Sequence, residues 1–179
     1  MNTDKELYIS FLGGNQQSFE ELVLRHRSQL TYFLLQYTHN FDNAEDIAQD
    51  IFAYIFVNPE RYDIKYEFKT FLYTLAKRRA IDYIRKESRN LSVSIHDFEI
   101  EDNTSLENEY ETNEDIKLLR NCINKLKREY RIIILLTEID GMSINEASKI
   151  LEKSPATTKV LAHRARNALK KIMQQERKE

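Results

Sequence analysis

The sequence predicts an all-α protein: two small helical domains joined by a flexible acidic linker, the C-terminal one containing a helix-turn-helix. Three observations carry that reading. Only 3 Gly and 2 Pro occur in 179 residues, with no Trp, and a chain so poor in turn formers and rich in Leu, Ile, Glu, Lys and Arg favours helices over a turn-rich β fold. Apolar residues recur at three- and four-residue spacing in separate stretches. Charge is partitioned along the chain: residues 1–86 carry 11 Lys/Arg against 12 Asp/Glu, residues 87–115 carry 1 against 10, and residues 116–179 carry 15 against 7. A mixed first domain (1–88), an acidic linker (89–114) and a basic second domain (115–179) follow from that division.

The first long helix is drawn from Phe19, Leu22, Val23, Leu30, Phe33, Leu34 and Tyr37, which share one helical face. Asp42 and Glu45 resemble a capping box ahead of a second helix with Ala44, Ile47, Ala48, Ile51 and Ile55 inward. Asn58-Pro59 ends it, since a residue before proline avoids the α region. After a loop through Glu60–Glu67, a third helix turns Phe68, Phe71, Leu72, Leu75, Ala76, Ala80 and Ile84 inward. The helical period fades from Glu87 to Asp115, where Ser, Asn and acids dominate and little is available for a core. Ile116, Leu119, Cys122, Ile123 and Leu126 restart a helix, Tyr130, Ile133, Ile134 and Leu136 form the next, and Gly141 caps it.

The stretch from Gly141 to Lys171 is the most telling. A short amphipathic helix with Ile144, Ala147, Ile150 and Leu151 breaks at Glu152-Lys153-Ser154, and a second helix opens at Pro155. Ser154 suits the N-cap, because its hydroxyl accepts from an orphan amide, and Pro155 suits N1, where a missing N–H costs nothing. Two short helices so joined form a helix-turn-helix. The second carries Lys159, His163, Arg164, Arg166, Lys170 and Lys171, so it is basic where a recognition helix meets phosphates and base edges.

Several classes are excluded or unsupported. A single cysteine, Cys122, permits no internal disulfide and no Cys-based zinc site. His26, His39, His96 and His163 are scattered without metal-ligand spacing, and His26 falls on an apolar helix face as a partly buried histidine. No phosphate-binding Gly loop is present, and neither a metal, a cofactor nor an enzymatic constellation is expected. No apolar run approaches the ~20 residues that span a bilayer, and the first residues lack the pattern of a signal peptide. The expected location is the cytoplasm.

Two further surfaces invite partners. Lys69, Tyr73 and Lys77 fall at i, i+4 and i+8 of the third helix, flanked by Arg78, Arg79 and Arg85. Aromatics interleaved with cations suit single-stranded nucleic acid, and equally describe a solvated basic face with Tyr73 half-buried. On the second helix Glu45, Asp46, Gln49 and Asp50 form an acidic edge beside Tyr54, a docking face or simply a solvated one.

Taken together, AEDIAQDIF (44–52), FKTFLYTLAKRRAIDYIRK (68–86), a variable linker, and GMSINEASKIL…ATTKVLAHRARNALKK (141–171) resemble a bacterial RNA polymerase sigma factor of the extracytoplasmic function class. The resemblance covers Phe19–Arg89 and about Ile116–Lys171 in the family's order. It implies core RNA polymerase and promoter DNA as partners, an anti-sigma factor as a third, and no membrane insertion. It further implies that Asp46, Gln49, Asp50 and Tyr54 bind the polymerase. The loop at Arg61–Tyr66 and the helix bearing Lys69, Tyr73, Lys77, Arg78, Arg79 and Arg85 would capture and melt the −10 element. Ser154, Ala156, Thr157, Lys159, His163, Arg164 and Arg166 would meet the −35 duplex. The chain departs from the family pattern in having Phe71-Leu72 where a Trp usually precedes Leu, Arg78 where Asn is common, and Glu152 where the turn often has Gly. Glu152 must therefore adopt the left-handed conformation or use another turn. A dimeric helix-turn-helix repressor and a protein-interaction adaptor are the competing readings. The first would need a dimerisation surface, and the second has no use for a basic second helix.

Overall fold

The computed structural model describes residues 2–91 and 114–176, which are helical with no strand among them. Two compact units result, one on each side of residues 92–113. The expected linker, 89–114, lies mostly outside the described residues; its first part, 89–91, continues a helix.

The first unit opens with α1 (Asp4–Leu12), an element absent from the sequence reading. Thr3 and Glu6 form its capping box: the Glu6 carboxylate accepts from the Thr3 amide at 2.7 Å and the Thr3 hydroxyl accepts from the Glu6 amide at 3.2 Å. Leu7 and Tyr8 are buried, and Gly14 at φ 97° turns the chain. Asp4 then meets α2 (Gln16–Thr38), bonding the buried His26 at 2.7 Å and Arg25 at 2.7 Å. Partial burial works against the charge on Asp4, but the hydrogen bonds and charges of His26 and Arg25 outweigh it and hold its carboxyl below the usual range. His26 is thus a core histidine with a carboxylate partner.

In α2, Phe19, Leu22, Leu30, Phe33, Leu34 and Tyr37 are buried as their spacing predicts. The following helix, α3 (Phe41–Val57), starts earlier than the Asp42–Glu45 pair suggests. Its cap is Asn40, whose side chain accepts from the Asn43 amide at 2.9 Å. Asp42 instead stands in the first turn, and Glu45 ion-pairs with Arg27 of α2. After a 3₁₀ turn at Pro59–Arg61, α4 runs from Phe68 to Leu91. Tyr8, Tyr62 and Phe68 pack edge-on or tilted at 4.7–5.6 Å between ring centroids, joining α1, the loop before α4 and α4 itself. Burial pushes the Tyr8 and Tyr62 hydroxyls up to about 12, so both act as neutral donors. Tyr8 donates to the Pro59 carbonyl at 2.8 Å, and Tyr62 to the Tyr66 carbonyl at 2.6 Å.

The second unit comprises α5 (Glu114–Asn124), α6 (Arg128–Ile134) extended by a π turn (Leu135–Ile139), α7 (Ile144–Leu151) and α8 (Pro155–Glu176). Cys122, Ile123, Leu126, Ile133, Ile134 and Leu136 form the core, joined by Ala147 and Ile150 of α7 and Ala162 and Ala165 of α8. Ile116, expected inward, is exposed. Gly141 caps the α6 extension at φ 67°. Ser143 and Glu146 cap α7 reciprocally.

Between α7 and α8, Glu152 takes the left-handed conformation, φ 56° and ψ 41°. This conformation costs a non-glycine residue roughly 1–2 kcal/mol. Glu152→Gly removes that strain, partly offset by the greater freedom of glycine in the unfolded chain, so a gain of about 1 kcal/mol is expected. A raised thermal unfolding midpoint would show it. A lowered midpoint would mean that contacts of the Glu152 side chain outweigh the strain.

Candidate nucleic-acid and partner interfaces

In α3, burial of Ala44, Ala48, Ile51, Phe52 and Ile55 turns Asp46, Gln49 and Asp50 outward, and all three are exposed. Exposed Ala53 and Val57 continue that stripe (i+3 and i+7 from Asp50), with Phe56 beside them; Val57 is 73% exposed. The surface is therefore acidic in its first half and apolar in its second. Its apolar end was missed from sequence, although Phe56-Val57 just before the Asn58-Pro59 stop was the available signal. Tyr54 is only half-buried, but the Arg79 guanidinium sits 5.3 Å from its ring centroid. That cation–π contact joins α3 to α4 and ties together two residues assigned to different tasks.

The basic helix differs from its sequence reading in a way that burial explains. Lys69, Tyr73 and Lys77 do share a face, but that face turns toward α2. Tyr73 is fully enclosed, with its ring 5.0 Å from that of Phe33, while Lys69 and Lys77 are half-buried. Tyr73 is a core residue and not a stacking platform. The exposed cations of α4 are Arg78, Arg79, Arg85, Lys86 and Arg89. Arg78 and Arg85, at i and i+7, share a side, and Arg85 lies 3.8 Å from Asp82. The aromatic presented to solvent is instead Tyr66, 58% exposed in the loop leading into α4, next to Ile64 and exposed Arg61. Its backbone is fixed by the Tyr62 hydroxyl. An aromatic and an aliphatic residue in a polar loop were the signal for it.

In the second unit, Ser154 caps α8 as expected, accepting from the Thr157 amide at 3.1 Å. The Ser154 and Thr157 hydroxyls also bond each other at 2.8 Å, so both take part in the cap. Burial of Thr158, Ala162 and Ala165 leaves Ala156, Lys159, Val160, His163, Arg164 and Asn167 exposed. The Asn167 amide and His163 Nε2 are 3.0 Å apart.

Arg166 departs from this group. Its Nε donates to the Glu138 carboxylate of the π turn at 2.8 Å, where the Thr137 hydroxyl also donates at 2.8 Å. Burial works against the charge on Glu138, but these two partners outweigh it and keep its carboxyl below the ordinary range. The guanidinium thus braces α8 against the α6 extension, beside an open groove of about 430 Å³ lined by Ile134, Leu169 and Met173. The Arg166 side chain is still 49% exposed, so this ion pair competes with a phosphate contact without precluding one.

No group of His, Cys, Asp and Glu among the described residues could hold a metal ion, and no described helix is long and apolar enough to cross a membrane. Residues 22–90 match the family model for Sigma-70 region 2, and residues 116–169 match that for Sigma-70, region 4. The ECF RNA polymerase sigma factor SigW of Bacillus subtilis (strain 168) is 30% identical over 168 residues, spanning 88% of this chain and 90% of that protein. The RNA polymerase sigma factor YlaC of the same organism is 27% identical, spanning 92% and 97%. Among solved structures, the sigma factor RpoE bound to the anti-sigma factor NepR from Bartonella quintana superposes with a TM-score of 0.67 at 23% identity, covering 88% of this chain and 98% of that one. CnrH in complex with the cytosolic domain of CnrY gives 0.64 at 22% identity, covering 97% and 98%.

Proposed function

This chain belongs to the extracytoplasmic function class of RNA polymerase sigma factors, and we propose a division of promoter recognition between its two units. As a sigma factor it binds core RNA polymerase and directs promoter recognition and transcription initiation. The observation that carries the division is that region 2 and region 4 match in that order on separate helical units. The first unit, 1–88, docks on the polymerase through the α3 stripe of Asp46, Gln49 and Asp50, and engages the −10 element through the Tyr66 loop and the Arg78–Arg85 side of α4. The second, 115–179, reads the −35 element with α8, and residues 89–114 join the two. The chain supplies recognition and strand opening in the cytoplasm, and the polymerase supplies the chemistry. One solved relative is captured with an anti-sigma factor, and this chain is held in the same way by a partner of that kind. Co-purification with core polymerase, followed by run-off transcription from promoters selected by the reconstituted holoenzyme, tests the whole reading. A chain that fails to join core enzyme fails it.

On α8, contacts to phosphate position the helix and contacts to base edges specify sequence. The helix enters the groove N-terminus first, so Lys159 lies nearer the bases and Arg164, beyond it, nearer the backbone. Arg164→Ala is expected to weaken holoenzyme binding evenly across −35 sequences and to flatten its salt dependence by about one phosphate contact. Lys159→Ala should instead relax preference at one or two base pairs, at ~1–3 kcal/mol for the preferred site. Binding to a randomised −35 library separates the two. A changed consensus with Arg164→Ala and an unchanged one with Lys159→Ala would reverse the orientation assigned to α8.

A further inference from the structure

We propose that Val160 selects a thymine in the −35 element through the C5-methyl group of that base. The inference rests on the assignment of α8 to the −35 duplex and adds to it the identity of one base. The buried stripe of α8 is Thr158, Ala162 and Ala165, each fully enclosed. At 3.6 residues per turn, Val160 lies about 140–160° around the helix from these residues. It is 50% exposed, and its exposed neighbours Lys159, His163, Arg164 and Asn167 are polar or cationic.

Single exposed apolar residues are ordinary, so position and chemistry decide the case. Val160 is in the second turn of α8, within the portion of a recognition helix that reaches base edges. The hydroxyls nearer the tip, Ser154 and Thr157, are shared within the cap and keep one proton between them for a polar partner. Ala156, one turn earlier on the same side, has only a methyl to offer. In the major groove, guanine, adenine and cytosine present donors and acceptors, and thymine alone adds an apolar group. An isopropyl group can satisfy no donor or acceptor, so against any other base it strips water and returns nothing. Against a thymine methyl it buries apolar surface on both sides. Lys159 and His163 flank it with polar tips suited to the neighbouring edges or phosphates.

The test uses holoenzyme and promoter duplexes in which each −35 thymine, on either strand, is replaced singly by deoxyuridine, which deletes only the methyl group. For the native chain, one position should lose roughly three- to tenfold in affinity, the worth of one to two buried methyl-sized groups. Val160→Thr keeps the branched shape at an exposed site, where folding tolerates it, but exchanges one of the two methyl groups for a hydroxyl, and should show a smaller preference for thymine over uracil there. Indifference of the native holoenzyme to every deoxyuridine, or undiminished methyl sensitivity in Val160→Thr, overturns the inference while leaving −35 selection intact. A holoenzyme that selects no −35 sequence at all overturns the assignment of α8, and the valine reading with it.

Discussion

Reversing Asp46 and Asp50 together to lysine is expected to abolish assembly with core RNA polymerase while leaving the helical content unchanged. Both side chains are exposed on α3, and lysine is at least as good a helix former as aspartate in a helix interior. Folding should therefore tolerate the change. Docking should not: placing like charges together at a formed interface costs several kcal/mol, a drop of three or more powers of ten in affinity. Glu45, the adjacent acid, makes the contrast, because it ion-pairs with Arg27 and ties α3 to α2. Glu45→Gln should lower the unfolding midpoint slightly and leave assembly alone. Size-exclusion chromatography of each variant with core enzyme, alongside circular dichroism, reads both effects. Full-affinity assembly of the doubly reversed chain would take α3 out of the interface.

What the sequence made legible depended on punctuation and period. Ser154-Pro155 fixes the start of α8 because the cap hydroxyl and the missing proline amide act within one turn, and Gly141 fixes the end of the α6 extension for the same local reason. The region 2 helices declared themselves through long apolar stripes. By contrast, α1 is 9 residues long, and its inward residues Leu7, Tyr8 and Phe11 span little more than one turn, too short a stripe to stand out. Only the Thr3–Glu6 capping box marked it.

The site was less legible than the fold, because a face read from spacing does not say which way it points. Lys69, Tyr73 and Lys77 do lie together, yet Phe33, 40 positions before Tyr73, draws that face inward. Arg166 is 28 residues from the Glu138 that holds it, and Arg79 lies over Tyr54 of a different helix. Each of these pairings is tertiary. They distinguish cations engaged with a neighbouring helix or turn from cations turned toward solvent alone.

That separation sets the expected result for strand opening. Arg78→Ala with Arg85→Ala should reduce open-complex formation by one to two powers of ten, with little change in closed-complex binding. Opening exposes bases whose unstacking costs a few kcal/mol, and cations that follow the freed backbone help to offset that cost. Tyr66→Ala should add to the defect, since a base stacked on an aromatic ring is worth ~1–3 kcal/mol and Tyr66 is the exposed ring of the loop before α4. Lys69→Ala should behave differently, because its face turns toward α2, and should leave opening near normal. Tyr73→Ala should unfold the first unit before it reports on DNA, since removing a buried aromatic costs about 3–5 kcal/mol. Permanganate reactivity of unpaired thymines in the −10 region distinguishes these outcomes. Normal reactivity in the double arginine variant, with a loss in Lys69→Ala, would place the single-strand path on the opposite face of α4.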